Sequence, residues 1–141
     1  MIRFIIVTGH YNLCHQIGGI DVTTSRNFFG RQVNSFEANV SLHNKFLAEY
    51  HSNSSNGFSD GSIDDGYHGV FIRAPAVVSV NNPKVEVLAT ITVPQREEPV
   101  VVGVAQDNLI ATAFHPELTE DTRWHAYFLR QILEKINPAK N

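Results

Sequence analysis

The segment from 113 to 119 contains a histidine and a carboxylate whose spacing suits proton transfer. Its sequence is Ala-Phe-His-Pro-Glu-Leu-Thr. Residues two apart in an extended segment point the same way, so His115 and Glu117 can lie on one side, with Pro116 stiffening the link. A carboxylate beside an imidazole fixes its tautomer and stabilises its protonated form, so the pair could activate a thiol or hydroxyl nucleophile. The alternative is that both residues only bond locally and cap the following helix.

Two further segments place arginines where a ligand could be held. Arg26 opens the run 26–32, which combines two cations, two aromatic residues and a glycine in a loop between apolar stretches. Arg73 follows the apolar run 69–72. Arginine can hold a carboxylate through two parallel hydrogen bonds, and loops and strand ends are suitable positions for this. A solvated arginine without a specific role is the alternative at each position.

The single cysteine, Cys14, excludes an internal disulfide framework and favours a reducing, cytoplasmic setting. Its neighbours in 12–16 include no glycine, whereas a nucleophile at a strand-to-helix turn needs small neighbours. We therefore expect an ordinary free thiol here. His10, Cys14 and His15 are the tightest group of potential metal ligands, but their spacing fits no common zinc pattern. We expect neither a metal site nor a cofactor.

Composition limits the classes of partner. The chain has 141 residues, of which 43% are hydrophobic and 18% charged, as in an ordinary globular domain. A formal charge of −3 provides no basic surface for nucleic acid or an anionic membrane. No apolar run approaches the length of a membrane span. We therefore expect neither nucleic acid nor a membrane among its partners.

Alternating apolar and polar residues, together with short apolar runs, predict the sheet that must position these candidates. The predicted strands are 2–7, 20–24, 36–42, 69–72, 85–93, 100–105 and 109–114. Short connections between the last strands favour antiparallel neighbours. Residues 51–66 are nearly all Ser, Asn, Gly and Asp, which predicts a flexible insertion inside the domain.

The last predicted element is a helix. Thr119 is a suitable N-cap, and Asn137 followed by proline ends the pattern. A stripe of apolar residues at i, i+4 spacing should face the sheet, namely Trp124, Phe128, Ile132 and Ile136. A sheet with helices on only one side would be unusual for a complete α/β protein.

Several blocks, taken in order, form a pattern more specific than any one motif. They are Gly-Gly-Ile-Asp at 18–21, Arg-Asn-Phe-Phe-Gly-Arg-Gln at 26–32, Ser-Phe-Glu-Ala at 35–38, Gly-Val-Phe-Ile-Arg-Ala-Pro at 69–75, and the stretch 111–125. Together they resemble the glutaminase subunit of the two-protein pyridoxal 5′-phosphate synthase, and the plant forms resemble them most. The resemblance covers the chain from about residue 18 to its C-terminus.

The resemblance implies an α/β fold, a partial class I glutamine amidotransferase-like (flavodoxin-like) domain. Its mixed sheet would have an antiparallel C-terminal portion and a C-terminal helix. Residues 1–17 would be a divergent segment, and 18–141 a single incomplete glutaminase-like domain. The implied activity is hydrolysis of L-glutamine to glutamate and ammonia for vitamin B6 biosynthesis, with the ammonia passed to a barrel-shaped synthase subunit.

The resemblance also assigns roles. The His and Glu of the family's catalytic triad fall on His115 and Glu117. The family's glutamine-binding arginine falls on Arg26, and its Ile-Arg pair on Ile72 and Arg73. His115 would take the proton of the thiol and later protonate the departing ammonia, while Glu117 would orient the imidazole.

Two motifs of the family do not occur in this sequence, the Gly-Gly-Glu-Ser-Thr loop and the Gly-Thr-Cys-Ala-Gly elbow that carries the nucleophile. Both precede the block at 18–21 in the family. We therefore expect a truncated chain that lacks the nucleophile and is inactive. The alternative is a non-catalytic protein that docks on the synthase subunit or competes with full-length glutaminase. We also expect 85–93 and 124–136 to lose packing partners, which would make the chain poorly stable.

Overall fold

The computed structural model describes residues 3–6, 19–26, 28–30, 35–50, 66–94 and 96–137. The strands in these ranges are β1 (Arg3–Ile6), β2 (Val22–Ser25), β3 (Ser35–Leu42), β4 (Gly66–Ile72), β5 (Ala76–Val80), β6 (Glu86–Ile91), β7 (Val100–Gln106) and β8 (Leu109–Thr112). The helices are α1 (Lys45–Glu49), a 3₁₀ helix (Pro116–Leu118) and α2 (Arg123–Ile136).

The described strands join one mixed sheet. Its main order is β1-β8-β7-β6-β3-β4, and β5 pairs with both β7 and β2. Among the described pairs, β1 with β8 is parallel and the others are antiparallel. The parallel register aligns Ile6 with Thr112, so both strands end at the same edge of the sheet. The predicted mixed sheet with an antiparallel C-terminal portion and a C-terminal helix is confirmed.

Two elements were missing from the sequence prediction. Strand β5 begins directly after Pro75, where the sequence pattern predicts no strand. Helix α1 has five residues, too few to show a helical period, and it begins where the Asn44 side chain accepts a hydrogen bond from the Phe46 N–H at 3.0 Å. The predicted insertion at 51–66 lies outside the described residues except for Gly66, which begins β4.

The C-terminal helix begins later than predicted. Thr119 is not its N-cap, because Pro116 starts a 3₁₀ helix whose C-cap is Thr119. The N-cap of α2 is Thr122, and the Asp121 carboxylate accepts the Arg123 N–H at 3.0 Å. The proline favours a separate short turn because its fixed φ suits a first helical position.

The predicted apolar stripe of α2 is only partly correct. Trp124 is fully buried, and Phe128 and Ile132 are half-buried. Ile136 is 67% exposed, so its predicted contact with the sheet is wrong. Lys135 Nζ donates to Asp107 O at 2.6 Å, which places the last turn of α2 at the end of the sheet rather than over it. Tyr127, which the stripe omitted, is buried instead.

The expected loss of packing around 85–93 is wrong for this strand. β6 has neighbours on both edges, β3 and β7, and its Leu88 and Ile91 are buried. Gly103 on β7 lies so close to the helix that an added Cβ would be 3.1 Å from the Trp124 ring and 2.9 Å from the Ala89 Cβ. The missing side chain therefore lets the indole pack directly on the sheet. No helix within the described ranges is long and apolar enough to cross a membrane.

Candidate functional site

The predicted acid–base pair comes together directly after β8. His115 Nδ1 lies 2.9 Å from Glu117 Oε1, and the two side chains are 15% and 46% exposed. An ionised carboxylate can only accept hydrogen bonds, so Nδ1 carries the proton and Nε2 of the neutral ring keeps its lone pair. Nε2 is buried and has no hydrogen-bond partner among the described residues. The pair therefore presents a free basic nitrogen that is oriented from the opposite side of the ring.

The backbone around His115 is fixed by hydrogen bonds to neighbouring strands. Its N–H donates to Val70 O of β4 at 2.8 Å. Ala113 N–H donates to Val102 O of β7 at 2.8 Å, and the Thr112 hydroxyl donates to Phe114 O at 2.9 Å. These bonds hold the segment between two strands, so the imidazole position is set by the sheet.

A second set of bonds holds the 3₁₀ helix that carries Glu117. The Thr119 hydroxyl donates to Pro116 O at 3.2 Å and lies 2.8 Å from the Tyr67 hydroxyl. Because its proton is directed to the carbonyl, Thr119 accepts from Tyr67. Burial raises the pKa of Tyr67, which keeps its donating proton in place.

Ile72 and Arg73 lie at the corner between β4 and β5. Ile72 is 38% exposed, and Arg73 is exposed with a φ of 47°. The left-handed region is uncommon for a residue with a side chain and persists only where the surroundings enforce it, often at ligand sites. Nothing in the residue pattern indicated this conformation.

Arg26 is brought to the same corner by strand pairing. The register of β2 with β5 aligns Ser25 with Ala76, so Arg26 lies beside the chain that has just left Arg73. The hydrogen bond from His115 N–H to Val70 O of β4 brings the segment that contains His115 to the same end of the sheet. Neither arginine has an ion-pair partner among the described residues. No described contact joins either guanidinium to the His115–Glu117 pair.

An aromatic cluster lies beneath the three segments that carry Arg26, Arg73 and His115. Phe114 precedes His115, Phe71 precedes Ile72, and Phe28 and Phe29 follow shortly after Arg26. The cluster consists of Phe28, Phe29, Phe36, Phe71 and Phe114. Phe71 lies 4.6 Å from Phe36 and 5.6 Å from Phe114 between ring centroids, and Phe29 lies 4.9 Å from Phe36. Each candidate residue is thus next in sequence, or nearly so, to a side chain anchored in one cluster.

Other candidates from the sequence lie outside the described residues. These are Cys14 and the two histidines that lie near it in sequence, His10 and His15. Among the described residues, no three His, Cys, Asp or Glu side chains are grouped so that they could hold a metal ion.

Comparison with known proteins identifies the family. The SNO glutamine amidotransferase family matches residues 4–134. The chain belongs to this glutamine amidotransferase family. The probable pyridoxal 5′-phosphate synthase subunit PDX2 of Arabidopsis thaliana is 43% identical in an alignment of 136 positions that covers 84% of this chain and 48% of that protein. The pyridoxal 5′-phosphate synthase subunit PdxT of Thermococcus gammatolerans is 47% identical over 114 residues, which are 81% of this chain and 46% of that protein.

A solved structure agrees with this family assignment. The crystal structure of a glutamine amidotransferase superposes with a TM-score of 0.54 at 38% identity, covering 81% of this chain and 47% of the other. The predicted amidotransferase-like fold is therefore confirmed. The chain spans about half the length of the curated relatives it matches.

Proposed function

We propose that this chain is a glutaminase subunit of pyridoxal 5′-phosphate synthase that carries the proton-transfer and glutamine-binding residues. The reaction to which these residues belong is hydrolysis of L-glutamine to glutamate and ammonia for vitamin B6 biosynthesis. The observation that carries the proposal is the His115–Glu117 pair, with an unpaired Nε2 held at the end of β8. Membership of the family and the names of its relatives support the choice of substrate.

The proposed chemistry assigns both proton transfers to His115. Nε2 takes the proton of a thiol, which attacks the amide carbon of glutamine. The imidazolium then returns the proton to the nitrogen as the C–N bond breaks and ammonia leaves. Water hydrolyses the resulting thioester, with its proton passing through Nε2 back to the sulfur. Glu117 accepts the Nδ1–H at 2.9 Å and stabilises the imidazolium that forms in each half of the reaction.

Glutamine is held at the β4–β5 corner in this proposal. Arg26 and Arg73 bind its α-carboxylate, and Ile72 borders the same ligand. Their unpaired guanidinium groups and the strand register that brings their segments together support this role. Arginine is suited to a carboxylate because its planar fork makes two parallel hydrogen bonds, which lysine cannot reproduce.

The described residues contain no thiol that could act as the nucleophile of this reaction. Cys14 is the one cysteine of the chain and has no glycine neighbours for a nucleophile elbow. We therefore propose that the chain binds glutamine and its barrel-shaped synthase partner but does not release ammonia. Because the elbow motif is absent, a non-catalytic protein that docks on the synthase subunit is the second candidate.

Two measurements separate these candidates. Ammonia release is assayed with and without the synthase subunit for the wild type, Cys14→Ala and His115→Gln, and glutamine affinity is measured by calorimetry. Glutamine binding that weakens about tenfold or more in Arg26→Lys, through loss of a bond to a charged group, supports the glutaminase site. Docking on the synthase without glutamine affinity supports the second candidate.

The ammonia assay also tests the inactivity. Release that disappears in Cys14→Ala would overturn the proposed inactivity and assign the nucleophile. Release that persists unchanged in His115→Gln would refute the role given to the imidazole.

A further inference from the structure

The turn between β6 and β7 presents an arginine to the Arg26 loop. Arg96 N–H donates to Val93 O at 2.9 Å, which closes a four-residue turn with Pro94 at its second position. Proline at this position fixes φ for the turn. The guanidinium carbon of Arg96 lies 4.0 Å from the centroid of the Phe28 ring, within the range of a cation–π interaction.

Among the described residues, the Phe28 ring is the one recorded side-chain contact of this cation. Glu97 and Glu98 follow Arg96 directly, yet neither forms an ion pair with it among the described residues. Beside the contact lies a cleft of about 420 Å³ between the turn and β5. The guanidinium therefore lies over the ring rather than being held by the adjacent carboxylates.

Phe28 connects this contact to the aromatic cluster. Its ring packs edge-on against Phe29 at 5.1 Å and 75°, and Phe29 packs against Phe36 at 4.9 Å. The loop is thus anchored on one side by the cluster and on the other by Arg96. Arg26 begins this loop, and no ion pair within the described ranges fixes its guanidinium.

We propose that Arg96 is a positioning residue that holds Phe28 and so keeps Arg26 where it binds the carboxylate of the substrate. The ligand in this inference rests on the proposed function, whereas the contact between Arg96 and Phe28 does not. Arg96 acts only through the ring. Removing either partner has the same effect, and removing both adds nothing further.

The test uses the full chain and three single variants. Arg96→Gln removes the cation, Phe28→Leu removes the aromatic face, and Arg96→Lys retains a cation. Glutamine affinity, measured by calorimetry, should weaken about two- to fivefold in the first two, as expected for an exposed cation–π contact. Arg96→Lys should restore most of it. The double variant Arg96→Gln/Phe28→Leu should equal either single variant.

Arg130→Gln is the matched control. Its guanidinium lies 4.8 Å from the Phe46 ring, a cation–π contact between α2 and α1, and its Nε also pairs with Glu134 at 2.6 Å. It should leave glutamine affinity unchanged. Arg96→Gln that weakens binding while Phe28→Leu does not would overturn the inference, because Arg96 would then act without the ring.

A second readout is independent of glutamine. Amide exchange at Phe28, Phe29 and Gly30, measured by NMR, should become faster in Arg96→Gln and Phe28→Leu but not in Arg130→Gln. Wild-type protein that binds no glutamine would refute the proposed function, and the exchange rates would still decide whether Arg96 orders the loop. Unchanged exchange in Arg96→Gln would overturn the inference whatever the glutamine result.

Discussion

The hydroxyl of Tyr67 should stabilise the turn that carries Glu117. Tyr67 is fully buried, and its hydroxyl donates to the Thr119 Oγ1 at 2.8 Å. Thr119 in turn donates to Pro116 O, which starts the 3₁₀ helix. Tyr67→Phe removes one oxygen and retains the ring, which contacts Phe114 at 5.4 Å. The substitution therefore tests the hydrogen bond with little change in packing.

The expected loss of stability follows from the loss of this one hydrogen bond between Tyr67 and Thr119. A buried neutral hydrogen bond contributes about 1 kcal/mol net, and the deleted oxygen leaves too small a space for a large cavity term. Thr119 keeps its bond to the carbonyl, so no buried donor is left unpaired. We expect the free energy of unfolding to fall by about 1 kcal/mol and the melting temperature by roughly 3 to 6 °C in a domain of this size.

The assay is urea and thermal unfolding followed by circular dichroism. Tyr127→Phe is the matched control, because Tyr127 is also buried but no hydrogen bond to its hydroxyl occurs among the described residues. A double-mutant cycle with Thr119→Ala should give a coupling near the same 1 kcal/mol. Equal unfolding midpoints for Tyr67→Phe and Tyr127→Phe, or no coupling, would show that the bond does not hold the turn.

Three further outcomes follow from burial and charge. Gly103→Ala should lower the free energy of unfolding by about 1 to 3 kcal/mol, since the new methyl group meets the Trp124 ring; an unchanged urea midpoint would refute this contact. Burial raises the pKa of Tyr127 to about 12. The stability that its neutral hydroxyl contributes is therefore complete below the ordinary tyrosine pKa near 10, and roughly 2 to 3 kcal/mol of the free energy of unfolding is lost as pH rises through 12. Unfolding curves from pH 9 to 12 should show a smaller loss in Tyr127→Phe than in the wild type, and the remaining loss reflects the raised pKa of Tyr67. Hydrogen bonds from Gln106 and Asn82 lower the pKa of Asp21 below 3.8. The stability that the ionised Asp21 contributes is therefore present above that pH and is lost as pH falls through the lowered pKa. In Asp21→Asn, the free energy of unfolding should depend less on pH in acid than it does in the wild type.

The sequence predicted features that depend on neighbouring residues. Alternation at 36–42 indicated β3 because a strand repeats every two residues, and the apolar run at 100–105 indicated β7. The pair of His115 and Glu117 was predicted from an extended segment, and the pair forms, but through a different backbone, because Pro116 starts a 3₁₀ helix that carries Glu117. The reaction class came from the resemblance of several blocks, not from this pair alone.

Features that depend on distant pairing were not predictable in the same way. Arg26 reaches the β4–β5 corner only because β2 pairs with β5, a strand that the pattern did not indicate. Arg96 and Phe28 are far apart in the sequence and meet only in the folded chain, and neither residue type signals the other. Ile136 follows the helical period of Trp124, but the period cannot tell how far along the helix the sheet extends.

The burial of Trp124 has a practical consequence. It is the one tryptophan of the chain, it is fully buried, and its ring meets Phe114 at 5.2 Å in a T-shaped contact. Phe114 directly precedes His115, so the indole is two side chains from the imidazole. The protein therefore contains its own optical probe. Tryptophan emission should report rearrangements of the residue before His115 without any attached dye, and ligand binding could be followed by fluorescence in protein that releases no product.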